Sequence, residues 1–277
     1  KNRGDFSPLI SVKGDIMKYC LDFRRSTKNI VTEVDEINFV FDLASLLDFL
    51  EDYKEKRINV VIQFEDLDKI IKIYKEHNLS NIFIKLPYYE EVAVKKLKEN
   101  NIPFYCATLV SDWDVFNGLI EMGVSDIFIT ENLGFELDKI SKIAKENKVQ
   151  LRAFPNVCQS QWEYTSKLKT FFIRPDDVKI YEEYIDVFEF FGNPDRQKIY
   201  YKIYKDEQWF GSLGELILDF NFDLDSRFVI PNFAEQRVKC GKKCMKGGNC
   251  QICERIVELS KTLEKSKIIV RNNKERE

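Results

Sequence analysis

Between about Ile37 and Gly192 the chain alternates short β-branched or aromatic runs with longer amphipathic, charged stretches. The runs are Ile37 to Phe41, Ile58 to Gln63, Asn81 to Leu86, Ile102 to Cys106, Ser125 to Thr130, Val149 to Phe154, Thr170 to Ile173 and Asp186 to Phe191. Their length and composition mark them as strands. Between most of them apolar residues recur at helical spacing, as in Leu43, Leu46, Leu47 and Leu50, in Leu67, Ile70, Ile71 and Ile73, in Val92, Val94 and Leu97, and in Leu137, Ile140 and Ile143. Strand starts recur at roughly twenty residues, about what a strand, a three-turn helix and two short loops consume. The pattern predicts an α/β fold, a TIM-type (β/α)8 barrel, with a doubly wound open sheet as its competitor. Near-continuous apolar runs suit strands buried on both faces, and closure leaves no edge to protect.

Outside that repeat the pattern loosens. Residues 1–30, with Gly4, Pro8 and Gly14, are irregular and read as a closing strand or a cap under the barrel. The barrel itself is assigned to residues 31–215. Residues 216–277 read as a C-terminal extension holding a Cys-rich segment, a terminal helix through Ile256, Val257, Leu259 and Leu263, and a charged tail. Tyr200 to Tyr204, alternating Tyr with Ile and Lys, reads as a half-buried strand or, with Trp209 and Phe210, a stacking platform for a base. Phe188, Phe190 and Phe191 with Phe171 and Phe172 are expected to fill the barrel. His77 falls at an expected helix C-terminus, where a cation suits the helix dipole.

Composition narrows the chemistry. With 277 residues, 44% of them hydrophobic, the chain buries a full core without disulfides. It has 43 basic and 46 acidic side chains, a net charge of -3, so there is no bulk attraction to nucleic acid. A single histidine, His77, disfavours a Ser-His-Asp triad, a His-rich zinc site and a two-His facial triad. The apolar runs are far shorter than the ~20 residues of a membrane span, and no signal peptide is visible, so no membrane partner and a cytoplasmic location are expected.

Four of the seven cysteines crowd into Cys240, Cys244, Cys250 and Cys253, with Gly247 and Gly248 between them. Four thiols so spaced, with glycines that let the backbone fold back, suit one bound metal centre in a reducing compartment better than a disulfide. Tetrahedral zinc and a cubane [4Fe-4S] cluster both accept four thiolates, and Lys239, Lys242, Lys243 and Lys246 would offset the anionic charge of either. Spacing does not choose between them.

A TIM-type barrel carries its site at the C-terminal ends of its strands. On this strand map those ends hold Asp42, Gln63, Lys85, Thr108, Glu131, Asn132, Asn156, Cys158, Arg174 and Glu189. Glu131, Arg174 and Glu189 are the candidate catalytic residues, and Lys85, Asn132, Asn156 and Asp176 the candidate substrate ligands. Two carboxylates, an Arg and a Lys converging on one mouth would bind an anionic substrate and supply an acid and a base without histidine. The bland reading of Glu189 and Arg174 is a structural charge pair across neighbouring strands, and that of Cys158 a small buried hydrophobe.

Asn156-Val157-Cys158 at a strand end, then Ile173-Arg174-Pro175-Asp176-Asp177-Val178, then Tyr184-Ile185-Asp186-Val187-Phe188 leading to Gly192, resembles the second half of the peptidase U32-like family. The resemblance covers about Phe104 to Gly192 and the Cys-x-x-Cys ending at Cys253. It implies a TIM-type barrel and, as in several members, a cysteine-ligated [4Fe-4S] cluster. It further implies oxygen-independent hydroxylation of RNA bases or quinone precursors, or alternatively a protease-like hydrolase with structural zinc. The chain departs from the family at Glu189, where a basic residue is usual, at Asn193, where an Arg usually follows the Gly, and at Gln159-Ser160-Gln161, where a second cysteine is missing. Those departures are the argument for a non-catalytic barrel kept as a binding or assembly module.

Overall fold

The computed structural model describes residues 17–24, 28–77, 79–130, 133–158, 168, 170–218, 224–229, 233–241 and 250–263. Its framework is a single parallel sheet of nine strands, β1 (Lys18–Asp22), β2 (Glu36–Val40), β3 (Arg57–Val61), β4 (Ile82–Leu86), β5 (Phe104–Cys106), β6 (Leu109–Val110), β7 (Asp126–Ile129), β8 (Gln150–Ala153) and β9 (Val187–Glu189). The strand order is β5-β4-β3-β2-β1-β9-β8-β7-β6. Its two edges belong to one stretch of chain: β5 pairs with β4, and β6, two residues further on, pairs with β7. Ser125 N also donates to Phe104 O at 2.8 Å. Counting β5 and β6 together, the strands are the staves of a parallel sheet curled until its ends meet, in chain order.

Helices follow the staves: α1 (Leu43–Asp52), α2 (Leu67–His77), α3 (Glu91–Glu99), α4 (Trp113–Met122), α5 (Leu137–Glu146), α6 (Val178–Tyr181) and α7 (Pro194–Lys205). Several have caps legible in the sequence. Asp112 accepts from Val115 N at the start of α4, and Gly123, at φ 72°, ends it in the left-handed conformation that glycine adopts without strain. Asn193 caps α7 ahead of Pro194, whose missing N–H costs nothing in the first helical turn. Beyond the sheet lie α8 (Leu213–Leu216), α9 (Phe233–Arg237) and α10 (Ile252–Leu263). Among the described residues no helix is long and apolar enough to cross a membrane.

Seven of the eight predicted strands are present within a few residues of their expected positions. The exception is Thr170 to Ile173, which is buried but irregular. β8 pairs directly with β9, and the eighth stave is β1, between β9 and β2, from the segment that the sequence left between a closing strand and a cap, so the barrel begins at residue 18. Tyr200 to Tyr204 is helical, within α7. The side chains of Tyr200, Tyr201 and Tyr204 are buried, and Tyr204 Oη lies 2.6 Å from Ile173 O. They are therefore core rather than a stacking platform. The aromatics of β9 are also placed differently from expectation: Phe188 and Phe190 face outward and pack against Tyr19, Tyr200 and Tyr204, so they do not fill the barrel. His77 closes α2 as expected.

What fills the barrel is charge. Strand side chains alternate between faces. The outward set, such as Leu21, Ile37, Ile58, Ile84, Ile127 and Leu151, is apolar and buried. The inward set is Cys20, Glu36, Asn38, Arg57, Asn59, Phe83, Lys85, Tyr105, Asp126, Phe128, Gln150, Arg152 and Glu189, joined by contacts across the lumen.

Candidate functional site

Arg152 is the hub of the lumen. It is fully buried, and its guanidinium reaches three staves: Nε donates to Asp126 Oδ1 at 2.7 Å, Nη1 to Glu189 Oε2 at 3.2 Å, and Nη2 to Glu36 Oε2. A planar fork of five N–H donors is the side chain suited to that task. Burial alone would push the Asp126 carboxyl up, but Arg57 and Arg152 outweigh it and hold its pKa below the usual value. Arg57 closes the N-terminal end, donating to Asp126 Oδ2 at 2.5 Å, Gln150 Oε1 at 2.6 Å and Asn59 Oδ1 at 3.0 Å, with its guanidinium 3.6 Å from the Phe83 ring centroid. Cys20 sits in the middle, 3.3 Å from Asn38 Oδ1, its thiol pushed well up by burial.

Towards the C-terminal strand ends the lumen changes character. Lys85, near the end of β4, donates to Glu189 Oε1, and its ammonium lies 5.4 Å from the Phe128 ring centroid. Above this pair several inward positions are apolar and exposed. Val40 pairs in register with Val61, which pairs with Lys85, and Leu109 pairs with Phe128. Phe154 stacks on Phe128 at 4.7 Å and meets Phe191 edge-on at 5.7 Å. Val40 is 52%, Leu109 42% and Phe191 56% exposed. Exposed apolar side chains thus stand at the C-terminal strand ends beyond the Lys85–Glu189 ion pair.

Among the described candidates the structure brings Lys85 and Glu189 together and places Arg174, Asp176 and Asn156 elsewhere. Arg174 does not face Glu189: it is buried against Asp177 through Nε and Nη2, at 2.7 and 2.6 Å, and donates to Ser226 O. The expected Glu189–Arg174 pair is therefore replaced by Glu189 with Lys85 and Arg152. The physical reason is that Thr170 to Ile173 is not a stave, so Arg174 does not stand at a strand end. Asp176 accepts from Ser226 Oγ at 3.0 Å, in the same cluster. The Asn156 amide is taken up by the rim itself, donating to Phe191 O at 2.9 Å and accepting from Phe191 N at 3.0 Å. It positions Phe191. Glu131 and Asn132 lie outside the described residues.

Of the cysteine set, Cys244 lies outside the described residues. Cys240 follows α9, and Cys250 and Cys253 flank the start of α10, all three half-buried. Cys253 Sγ donates to Leu168 O at 3.6 Å. Among the described residues no three Cys, His, Asp or Glu side chains are gathered to hold a metal ion. Cys158 is buried, 2.8 Å from Thr170 Oγ1. The extension is tied to the barrel by a residue that the sequence did not flag, Arg237, which is buried against the Phe172 ring at 4.3 Å and donates to Thr170 O and Phe172 O.

The residues missed by sequence reasoning, Glu36, Arg57, Asp126 and Arg152, did leave a signal. Glu36 and Arg57 stand directly before their runs and in phase with Asn38 and Asn59, Arg152 is in phase with Gln150, and Asp126 is a lone charge at the head of an apolar run.

Comparison with known proteins adds little. No family model matches the chain, and no curated protein does. Among solved structures it is similar to the 4-hydroxy-2-oxoglutarate aldolase/2-deydro-3-deoxyphosphogluconate aldolase from TTHB1, at 11% identity and a TM-score of 0.39, over 68% of this chain and 92% of that one. A likeness that slight has no bearing on chemistry.

Proposed function

We propose that the chain is a barrel enzyme acting on a small molecule at the C-terminal mouth, with Lys85 and Glu189 as its proton-exchanging pair and Arg152 as the residue that positions Glu189. The observation that carries this is the set of apolar side chains Val40, Leu109, Phe154 and Phe191 at the strand ends beyond the Lys85–Glu189 ion pair. Concave, mostly apolar sites with a few convergent polar groups are where small ligands bind. Of the two substrate kinds implied by the U32-like resemblance, an apolar rim favours the small aromatic one, because RNA binding leans on Lys and Arg for the phosphates.

A metal centre on Cys240, Cys244, Cys250 and Cys253 belongs to the same proposal, as [4Fe-4S] for oxygen-independent hydroxylation or as a zinc staple. A thiolate set suits either. Such a cluster would supply redox chemistry, while the mouth residues bind the substrate, exclude water and hold the proton. Iron and zinc analysis of protein purified without oxygen decides between the two metals.

The site itself is tested by titrating acetophenone and a short single-stranded RNA into isotopically labelled protein and mapping the chemical shifts. Shifts from the ketone confined to Val40, Leu109, Phe154 and Phe191 are the expected result. RNA binding at those residues, or ketone shifts only elsewhere, would overturn the reading.

A further inference from the structure

The charge balance of the lumen bears on what the mouth accepts. Three cations, Arg57, Lys85 and Arg152, face three carboxylates, Glu36, Asp126 and Glu189, and each is in direct contact with a partner of opposite sign. Within this network each cation is matched by a carboxylate. A fourth carboxylate, Asp22 at the end of β1, accepts from Asn38 Nδ2 at 3.0 Å and Gln197 Nε2 at 2.9 Å. The expectation of an anionic substrate rested in part on Arg174 standing at the mouth, and Arg174 is paired with Asp177 instead.

Lys85 also has unused donors. It is 8% exposed, and its ammonium makes one hydrogen bond, to Glu189, although it carries three N–H groups. Around it stand the Phe128 ring and, above, the apolar rim. An incoming ligand oxygen can accept from an N–H of Lys85 beyond the one bonded to Glu189, and a hydrogen bond from a charged donor is among the stronger ones. The acceptor must be uncharged, because a carboxylate at that point would lie beside Glu189, and like charges in a low-dielectric site repel strongly. A cation would instead confront Lys85 and Arg152. From these facts we infer that the ligand of the mouth is an uncharged, ring-sized apolar molecule carrying a carbonyl oxygen, which accepts from Lys85 Nζ while the ring packs against Phe154 and Phe191. The inference rests on the mouth being the binding site and adds the charge and acceptor type of the ligand.

The test uses four probes that share one ring and differ in charge or acceptor: acetophenone, benzoate, benzylammonium and toluene, each titrated into the whole chain with shift mapping. The expected result is that acetophenone binds at the mouth roughly tenfold more tightly than each of the other three, about the worth of one hydrogen bond from a charged donor. Lys85→Met should then bring acetophenone down to the toluene level. Benzoate or benzylammonium binding most tightly at the mouth would overturn the inference while leaving the mouth as the site, and so would toluene matching acetophenone in the unaltered chain. If no probe shifts the mouth residues, the site reading and the inference both fall. The comparison in the unaltered chain stands even if Lys85→Met does not fold.

Discussion

Arg152 shows how a single residue sets the interior of this barrel. A fully buried guanidinium held by Glu36, Asp126 and Glu189 contributes little net stability, because desolvation offsets most of the Coulombic gain, but removing it strands three carboxylates. Arg152→Met is therefore expected to cost about 3–5 kcal/mol or more in denaturant unfolding. A loss under 1 kcal/mol would mean that the network is not as drawn. Acid should act on the same cluster. Asp126 is held below its unfolded value, so its contribution is fully present above about pH 4 and is lost as pH falls through the folded value. Asp177 behaves oppositely: burial outweighs Arg174 and raises its pKa, so the folded state takes up its proton first and this group's contribution declines as pH rises through the raised value. Asp126→Asn should flatten the acid limb of the stability curve, and Asp177→Asn should leave that limb in place. Unfolding midpoints against pH for the two variants check both signs. None of this pairing was legible residue by residue. A charge within a strand run announces an inward face only when the phase of every stave is compared, and the partners lie on strands far apart in sequence.

At the scale of elements the hydrophobic pattern was a good guide wherever a run had a neighbour to pair with. Ile58 and Val60, or Ile82 and Ile84, mark staves because their β-branched side chains cover the outer face under the helices. Thr170 to Ile173 has the same composition and the same burial, but the carbonyls of Thr170 and Phe172 are satisfied by Arg237 from α9 rather than by a ladder. Burial without a ladder is invisible to a local pattern. Tyr200 to Tyr204 erred the other way, because Asn193 and Pro194 start a helix whose buried Tyr positions also fit an alternating strand. Two substitutions test these contacts by thermal or chemical unfolding. Arg237→Met removes a charged donor from both buried carbonyls and should cost about 1–3 kcal/mol. Asn193→Ala should cost about 0.5–2 kcal/mol through the lost cap of α7. Neutral outcomes would remove Arg237 as the tie of the C-terminal extension, or Asn193 as the start of α7.

For the whole molecule, closure explains both what could be read in advance and what could not. The repeat of strand and helix announced a barrel. The stave that completes it, Lys18–Asp22, lay in an irregular stretch with no helix signal beside it, so its role emerges only from its pairing with β2 and β9. Closure also gives the lumen a lower part held by paired charges and, beyond Lys85 and Glu189, a mouth where exposed apolar side chains stand. That division was hidden, because the residues of the mouth, Val40, Leu109 and Phe191, read as ordinary core positions in a strand pattern. The central claim is that this mouth is where the protein binds its ligand, and Phe191→Asp tests it most directly. Phe191 is exposed, so the change should leave folding intact while placing a charge at the mouth. Titration of acetophenone into the unaltered and Phe191→Asp chains should show affinity falling by about tenfold or more, in keeping with the loss of one aromatic contact face. Equal affinity in the two chains would contradict the account.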